Sequence, residues 1–223
     1  MEPADSPEER WGRSPKRVLA FGDSNTWGFD PATGGRYPLA QCWPGVLGAA
    51  LGSGADVIVE GLNGRTTVVD SPYAPSRSGA TMLGPLLESH APVDLVIIML
   101  GTNDLQSPLG LTARHAASGI WTLVDITVRS AAGFEAASPA VLVVSPPHIV
   151  SPSGFMGVFY EGREQESQEL AQHYSAIAAQ LGVSFFDAAS VVTPGPVDGV
   201  HLDPAGHQQL GEALALAARA ALP

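Results

Sequence analysis

The chain has 223 residues, 45% hydrophobic and 15% charged: enough apolar material to bury a substantial core, and too much for wholesale disorder or a coiled coil. Its 22 acids against 11 bases leave a net charge of −11, which excludes the basic stripe of a nucleic-acid binder. Cys42 is the single cysteine, so no intrachain disulfide is possible and a reducing compartment suits the chain.

Residues 1–15 read as a polar, poorly ordered tail, because Met1–Arg13 (MEPADSPEERWGR) is acidic and lacks the basic start and apolar run of a signal peptide. No run approaches about 18 consecutive apolar residues, so no membrane span is expected and a cytoplasmic location is. Residues 16–223 read as one domain. In chain order they predict a strand at Arg17–Phe21, a short helix at Trp43–Leu51, a strand at Asp56–Val59 and a helix at Thr81–Glu88. Then come a strand at Asp94–Leu100, a long helix over Leu111–Ala132, and a strand at Ala140–Ser145. A helix over Glu161–Leu181 ends at Gly182, a strand at Val183–Asp187 follows, and Pro204 opens a last helix to Leu222. The strand segments are rich in Val, Ile and Phe without polar alternation, as expected of strands covered on both faces. Five β-then-α units predict a doubly wound, three-layer α/β/α domain around a parallel five-stranded sheet. Asp70–Ser78 and Ser145–Met156 read as loops, and loops beyond the carboxyl ends of such strands are candidate pocket walls.

Several chemistries lose their support at once. There is no GxxxxGK[ST] or GxGxxG for phosphates, no HExxH or Cys/His cluster for zinc, and no GxSxG elbow. No metal is expected. Four short segments carry the remaining chemistry. Gly22-Asp23-Ser24-Asn25-Thr26 follows the first strand and places a serine where helix N–H groups favour a developing negative charge. Gly64, in Asn63-Gly64-Arg65-Thr66-Thr67 after the second strand, offers an unencumbered N–H. Asn103, in Gly101-Thr102-Asn103-Asp104 after the third, offers a neutral amide donor. In Asp198-Gly199-Val200-His201, a carboxylate three residues before a histidine can orient the imidazole, leaving its other nitrogen free for a serine proton. Each alone also reads as an ordinary feature: a helix cap, a tight turn, an Asx-turn, a surface loop. Together they supply a nucleophile, two oxyanion donors and an oriented base.

On these residues the chain resembles the SGNH hydrolases, or GDSL-type esterases, with Ser24, Gly64, Asn103 and His201 at the four naming positions. FGDSNTWGF, EGLNGRTT, DLVIIMLGTND, VLVVSPP, FYEG and FFDAASV followed by VDGVH are most similar to the mycobacterial arylesterase/acyltransferase branch. The resemblance implies a flavodoxin-like sandwich, no cofactor, Ser24 as nucleophile, His201 as general base and Asp198 as its orienter. It implies an oxyanion hole of the Ser24 and Gly64 N–H groups with the Asn103 side chain. It further implies hydrolysis of short-chain or aryl esters, acyl transfer to alcohols or peroxide, and homo-oligomers that narrow the pocket entrance. Asp23, Trp27, Phe29, Trp43, Phe155, Met156 and Phe159 are candidate pocket residues. One departure is plain: where the family usually has a hydrophobic residue after the nucleophile, this chain has Asn25. Expected partners are therefore small-molecule esters and alcohol acceptors, with a carbohydrate O-deacetylase, a catalytically silent binding module and a flavin or nucleotide carrier as alternatives.

Overall fold

A computed structural model describes residues 15–72 and 74–223, so nearly all of the expected tail lies outside the described residues. Five strands, β1 (Lys16–Gly22), β2 (Ala55–Gly61), β3 (Leu95–Met99), β4 (Ala140–Ser145) and β5 (Ser184–Asp187), form one all-parallel sheet in the order β2-β1-β3-β4-β5. Seven α-helices accompany them: α1 (Ser24–Trp27), α2 (Trp43–Leu51), α3 (Gly79–His90), α4 (Ala113–Val128), α5 (Gly154–Tyr160), α6 (Glu164–Leu181) and α7 (Pro204–Ala221).

Alternation along the strands builds two cores. Leu19, Phe21, Val96, Ile98, Val141 and Val143 face α3, α4 and α6, packing against Leu87, Ile120, Leu123, Leu170 and Tyr174. Val18, Ala20, Leu95, Ile97, Leu142 and Val144 face the other way, against Trp43 and Leu47 of α2 and Leu210 and Leu214 of α7. Each such fully buried aliphatic chain is worth about 1.5–3 kcal/mol relative to exposure, so both layers hold the sheet strongly. This is the expected three-layer sandwich.

Where the fold departs from expectation, local chemistry explains it. The inner strands are buried along most of their length, whereas β2 and β5 are sheet edges and are at best half-buried. Helix α4 is shorter at both ends than Leu111–Ala132, because Thr112 and His115 cap its start while the Ser130 hydroxyl donates to the Thr127 carbonyl at its end (2.7 Å). The Ser145–Met156 segment, expected as loop, runs into α5, a seven-residue helix too short to show a helical period. Helix α6 begins at Glu164 rather than Glu161, since the turn after α5 intervenes.

The functional consequence lies in the strand order. The chain leaves β1 in one direction for β2, then crosses to β3 on its other side. The carboxyl ends of β1 and β3 therefore flank the crevice where such sheets bind ligands.

Candidate active site

Ser24 stands at the first position of α1, directly after β1. Asp23 caps this single turn by accepting the Asn25 N–H at 3.0 Å, and the Gly28 N–H closes it on the Ser24 carbonyl. A helix start leaves its first N–H groups without intrahelical acceptors, so the Ser24 N–H stays available to a ligand. The hydroxyl of Ser24 lies 2.9 Å from His201 Nε2, across 177 positions of sequence.

His201 belongs to the loop before α7, which Asp203 and Pro204 start by side-chain cap and fixed backbone. Its Nδ1 lies 2.6 Å from Asp198 Oδ2. The other Asp198 oxygen accepts the Val200 and His201 N–H groups at 3.0 and 2.9 Å. Burial opposes the Asp198 charge, but the His201 bond, the His201 charge and the two N–H groups outweigh it and hold the carboxyl below its usual range. A carboxylate, an imidazole and a hydroxyl thus form one hydrogen-bonded line, able to draw a proton off Ser24. The Phe29 ring tilts over His201 with centroids 4.6 Å apart, walling one side of the imidazole.

Asn103 opens a short 3-10 turn after β3. Its Oδ1 accepts from the Tyr160 hydroxyl and from Gln106 Nε2, both at 3.0 Å. Two donors on the oxygen fix the amide, which turns Nδ2 toward the Arg65 carbonyl (3.1 Å) and Asp23 Oδ2 (3.4 Å). Asn103 is therefore tied at once to the segment bearing Ser24 and to that bearing Gly64. The Gly64 loop docks on the end of β1 through the Leu62 N–H to the Gly22 carbonyl (3.1 Å). Gly64 itself has φ 78°, a left-handed backbone that side chains adopt only with strain. Its neighbour Arg65 is buried, donates to the Gly22 and Glu60 carbonyls, and lies 4.2 Å from the Phe21 ring centroid. Burial lowers that guanidinium to about 10 despite Glu60 and Asp23 nearby.

The remaining expected residues divide. Asp23 is buried beneath the nucleophile, and desolvation raises its carboxyl to about 6 against the pull of the Asn25 N–H, His201 and Arg65. Trp27 is half-buried, with the Arg36 guanidinium 4.8 Å from its ring centroid. Met156 and Phe159 are half-buried against the first core, and Phe155 is 72% exposed beside Phe159. Trp43 is a correction: it was expected along the pocket but is wholly buried in the second core, where α2 packs on α7, and has no surface to offer a ligand. Sequence reasoning missed Tyr160, Gln106 and Arg65 as supports of the site. Tyr160 stood inside the quoted FYEG segment, the one signal that pointed to it. Among the described residues no cluster of His, Cys, Asp or Glu is arranged to hold a metal, and no helix is long and apolar enough to cross a membrane.

A family model described as GDSL-like Lipase/Acylhydrolase matches residues 20–209. Among solved structures, the native aryl esterase of M. smegmatis is 43% identical, with a TM-score of 0.89 over 93% of this chain and 100% of that one. A carbohydrate acetylesterase from Sinorhizobium meliloti is 38% identical, with a TM-score of 0.89 over 92% of this chain and 99% of that one. Among curated proteins there is no match.

Proposed function

The chain belongs to the GDSL-like lipase/acylhydrolase family, and from that premise we propose how it works as a carboxylic ester hydrolase: through an acyl-serine formed on Ser24. The unbroken line from Asp198 through His201 to Ser24, at 2.6 and 2.9 Å, is the observation that carries the reading. Ser24 Oγ attacks the ester carbonyl as His201 Nε2 takes its proton. The carbonyl oxygen, now anionic, is held by the Ser24 and Gly64 N–H groups and by Asn103 Nδ2. His201 then gives the proton to the departing alcohol, leaving the acyl group on Ser24. Water enters and attacks the acyl carbonyl as His201 takes its proton; the bond to Ser24 then breaks, the acid leaves, and His201 returns the proton to Ser24 Oγ. Asp198 keeps the imidazole in the tautomer that presents a bare Nε2 and stabilises the imidazolium between steps.

The substrate class is a short-chain or aryl ester, supported by the similarity to an aryl esterase and by the aromatic wall of Phe29 on the base. An apolar wall favours a less hydrated acceptor, so an alcohol can replace water and the enzyme transfers acyl groups as a side activity. The similarity to a carbohydrate acetylesterase favours a second reading, removal of acetyl groups from sugars by the same residues. We place the enzyme in the cytoplasm as a homo-oligomer. Val150, Phe155, Val158 and Val197 are exposed apolar side chains around the Asp198 loop, a surface suited to a subunit contact.

Nitrophenol release from p-nitrophenyl acetate by wild type and Ser24→Ala, with and without added alcohol, tests the proposal. Turnover lost in the variant is the expected result; turnover retained there overturns the acyl-serine. Ester product in the presence of alcohol marks acyl transfer. Faster turnover on acetylated sugars than on the aryl ester selects the second reading.

A further inference from the structure

Asn25 is 3% exposed, and both ends of its amide are bonded. Nδ2 donates to the Val200 carbonyl at 3.2 Å, and Oδ1 accepts the Leu202 N–H at 2.9 Å. Those two backbone groups flank His201 on either side. The partners lie 175 and 177 positions away, so this is a tertiary lock and no local turn.

The other backbone groups around His201 are satisfied by their own loop. Asp198 takes the Val200 and His201 N–H groups, and the Gly195 N–H donates to the His201 carbonyl at 2.8 Å. Bonds of that kind shape the loop but do not fix its place relative to the nucleophile. The Asn25 pair does, because Asn25 follows Ser24 in the same helical turn. We propose that Asn25 is a positioning residue for the base: its amide brackets His201 and holds the imidazole in register with Ser24 Oγ. Nucleophile and clamp share one stretch of backbone, so a displacement of α1 carries the base-bearing loop with it. Asn25 touches no reacting atom and acts through His201. The inference rests on the acyl-serine reading above.

Asn25→Leu fills the space and removes both bonds, while Asn25→Asp keeps the size and the bond from Leu202 but loses the donor to Val200. With one net hydrogen bond worth roughly a factor of five, Asn25→Leu, which loses two, is expected to lower kcat by about 25-fold and Asn25→Asp, which loses one, by about fivefold. KM stays within about twofold in both, since substrate is not contacted. The rate at which a p-nitrophenyl phosphonate modifies Ser24 falls by the same factors, because that reaction also needs His201 to take the serine proton. A purely structural role would lower the melting temperature and leave kcat per phosphonate-titrated site within twofold of wild type in both variants, and that result overturns the proposal. If Asn25→Leu does not fold, Asn25→Asp decides alone: wild-type kcat and phosphonate rate overturn it. Ser24→Ala run alongside separates the two levels. Turnover surviving in Ser24→Ala removes the acyl-serine itself, whereas a dead Ser24→Ala with fully active Asn25 variants removes the clamp only.

Discussion

Replacing Asn103 by alanine probes the oxyanion side of the site, and its neighbours set the scale of the effect. If Nδ2 stabilises the anion, Asn103→Ala lowers kcat by about 10²–10³, the loss associated with one such donor. The structure adds a finer expectation. The Tyr160 hydroxyl, buried and 3.0 Å from Asn103 Oδ1, shares with Gln106 the work of fixing the amide. Tyr160→Phe leaves Asn103 present but less firmly aimed. One hydrogen bond at about 1 kcal/mol corresponds to roughly a fivefold fall in kcat, with tenfold at 1.4 kcal/mol. The two residues act as a unit, so their effects should not multiply. In the Asn103→Ala background, Tyr160→Phe is expected to change kcat by less than about twofold, with no amide left to aim. Steady-state kinetics of the four proteins on one aryl ester give the cycle. Unchanged kcat in Asn103→Ala refutes the donor role, and an equal fivefold loss from Tyr160→Phe in both backgrounds refutes the coupling.

Two further predictions concern stability. Burial lowers His207 to about 4, against the pull of Asp203 and with the push of His201, so its folded pKa lies below its ordinary value of about 6.5. The unfolded chain then takes up a proton that the folded one refuses, and stability falls as pH drops from about 6.5 to about 4, by about 3 kcal/mol at most. His207→Asn, whose Oδ1 can still accept the Trp43 N–H now bonded to Nδ1 at 3.2 Å, should be free of that loss. The stability difference between wild type and variant in urea unfolding should narrow from pH 7 to pH 4.5, and a difference independent of pH would count against the argument. The second concerns Gly101, which has φ 124° and would place a Cβ 2.0 Å from the Tyr174 hydroxyl, itself bonded to the Leu100 carbonyl at 2.9 Å. Gly101→Ala is therefore expected to destabilise by more than about 3 kcal/mol in thermal or urea unfolding, while a loss under 1 kcal/mol would show that the Tyr174 contact yields easily.

Much of this molecule is legible without coordinates, and the reasons are local. Ala140–Ser145 and Trp43–Leu51 have the same limits in sequence and structure, because each apolar run ends on a clear breaker. The edge position of β2 was hidden, since DVIV looks the same whether one or both of its sides are paired. Ser24, Asp198 and His201 were visible because each sits in a short motif whose residue types the chemistry demands. Their supports were not. Tyr160 reaches Asn103 across 57 positions, and Asn25 reaches Leu202 across 177; no window of sequence contains either pair. Trp43 misled for the same reason: proximity in sequence to the nucleophile says nothing about which side of the sheet a helix will cover.

The 177 positions between Ser24 and His201 have a consequence for folding. Ser24 follows β1, while His201 sits just before α7, which packs on α2. Contacts of such long sequence separation form late and slowly. The serine therefore stays inert until the segment bearing His201 has docked against the sheet, and hydrolysis begins only then. Onset of ester cleavage during refolding thus marks the docking of α7, and deletion of α7 should silence the enzyme even where the sheet has formed.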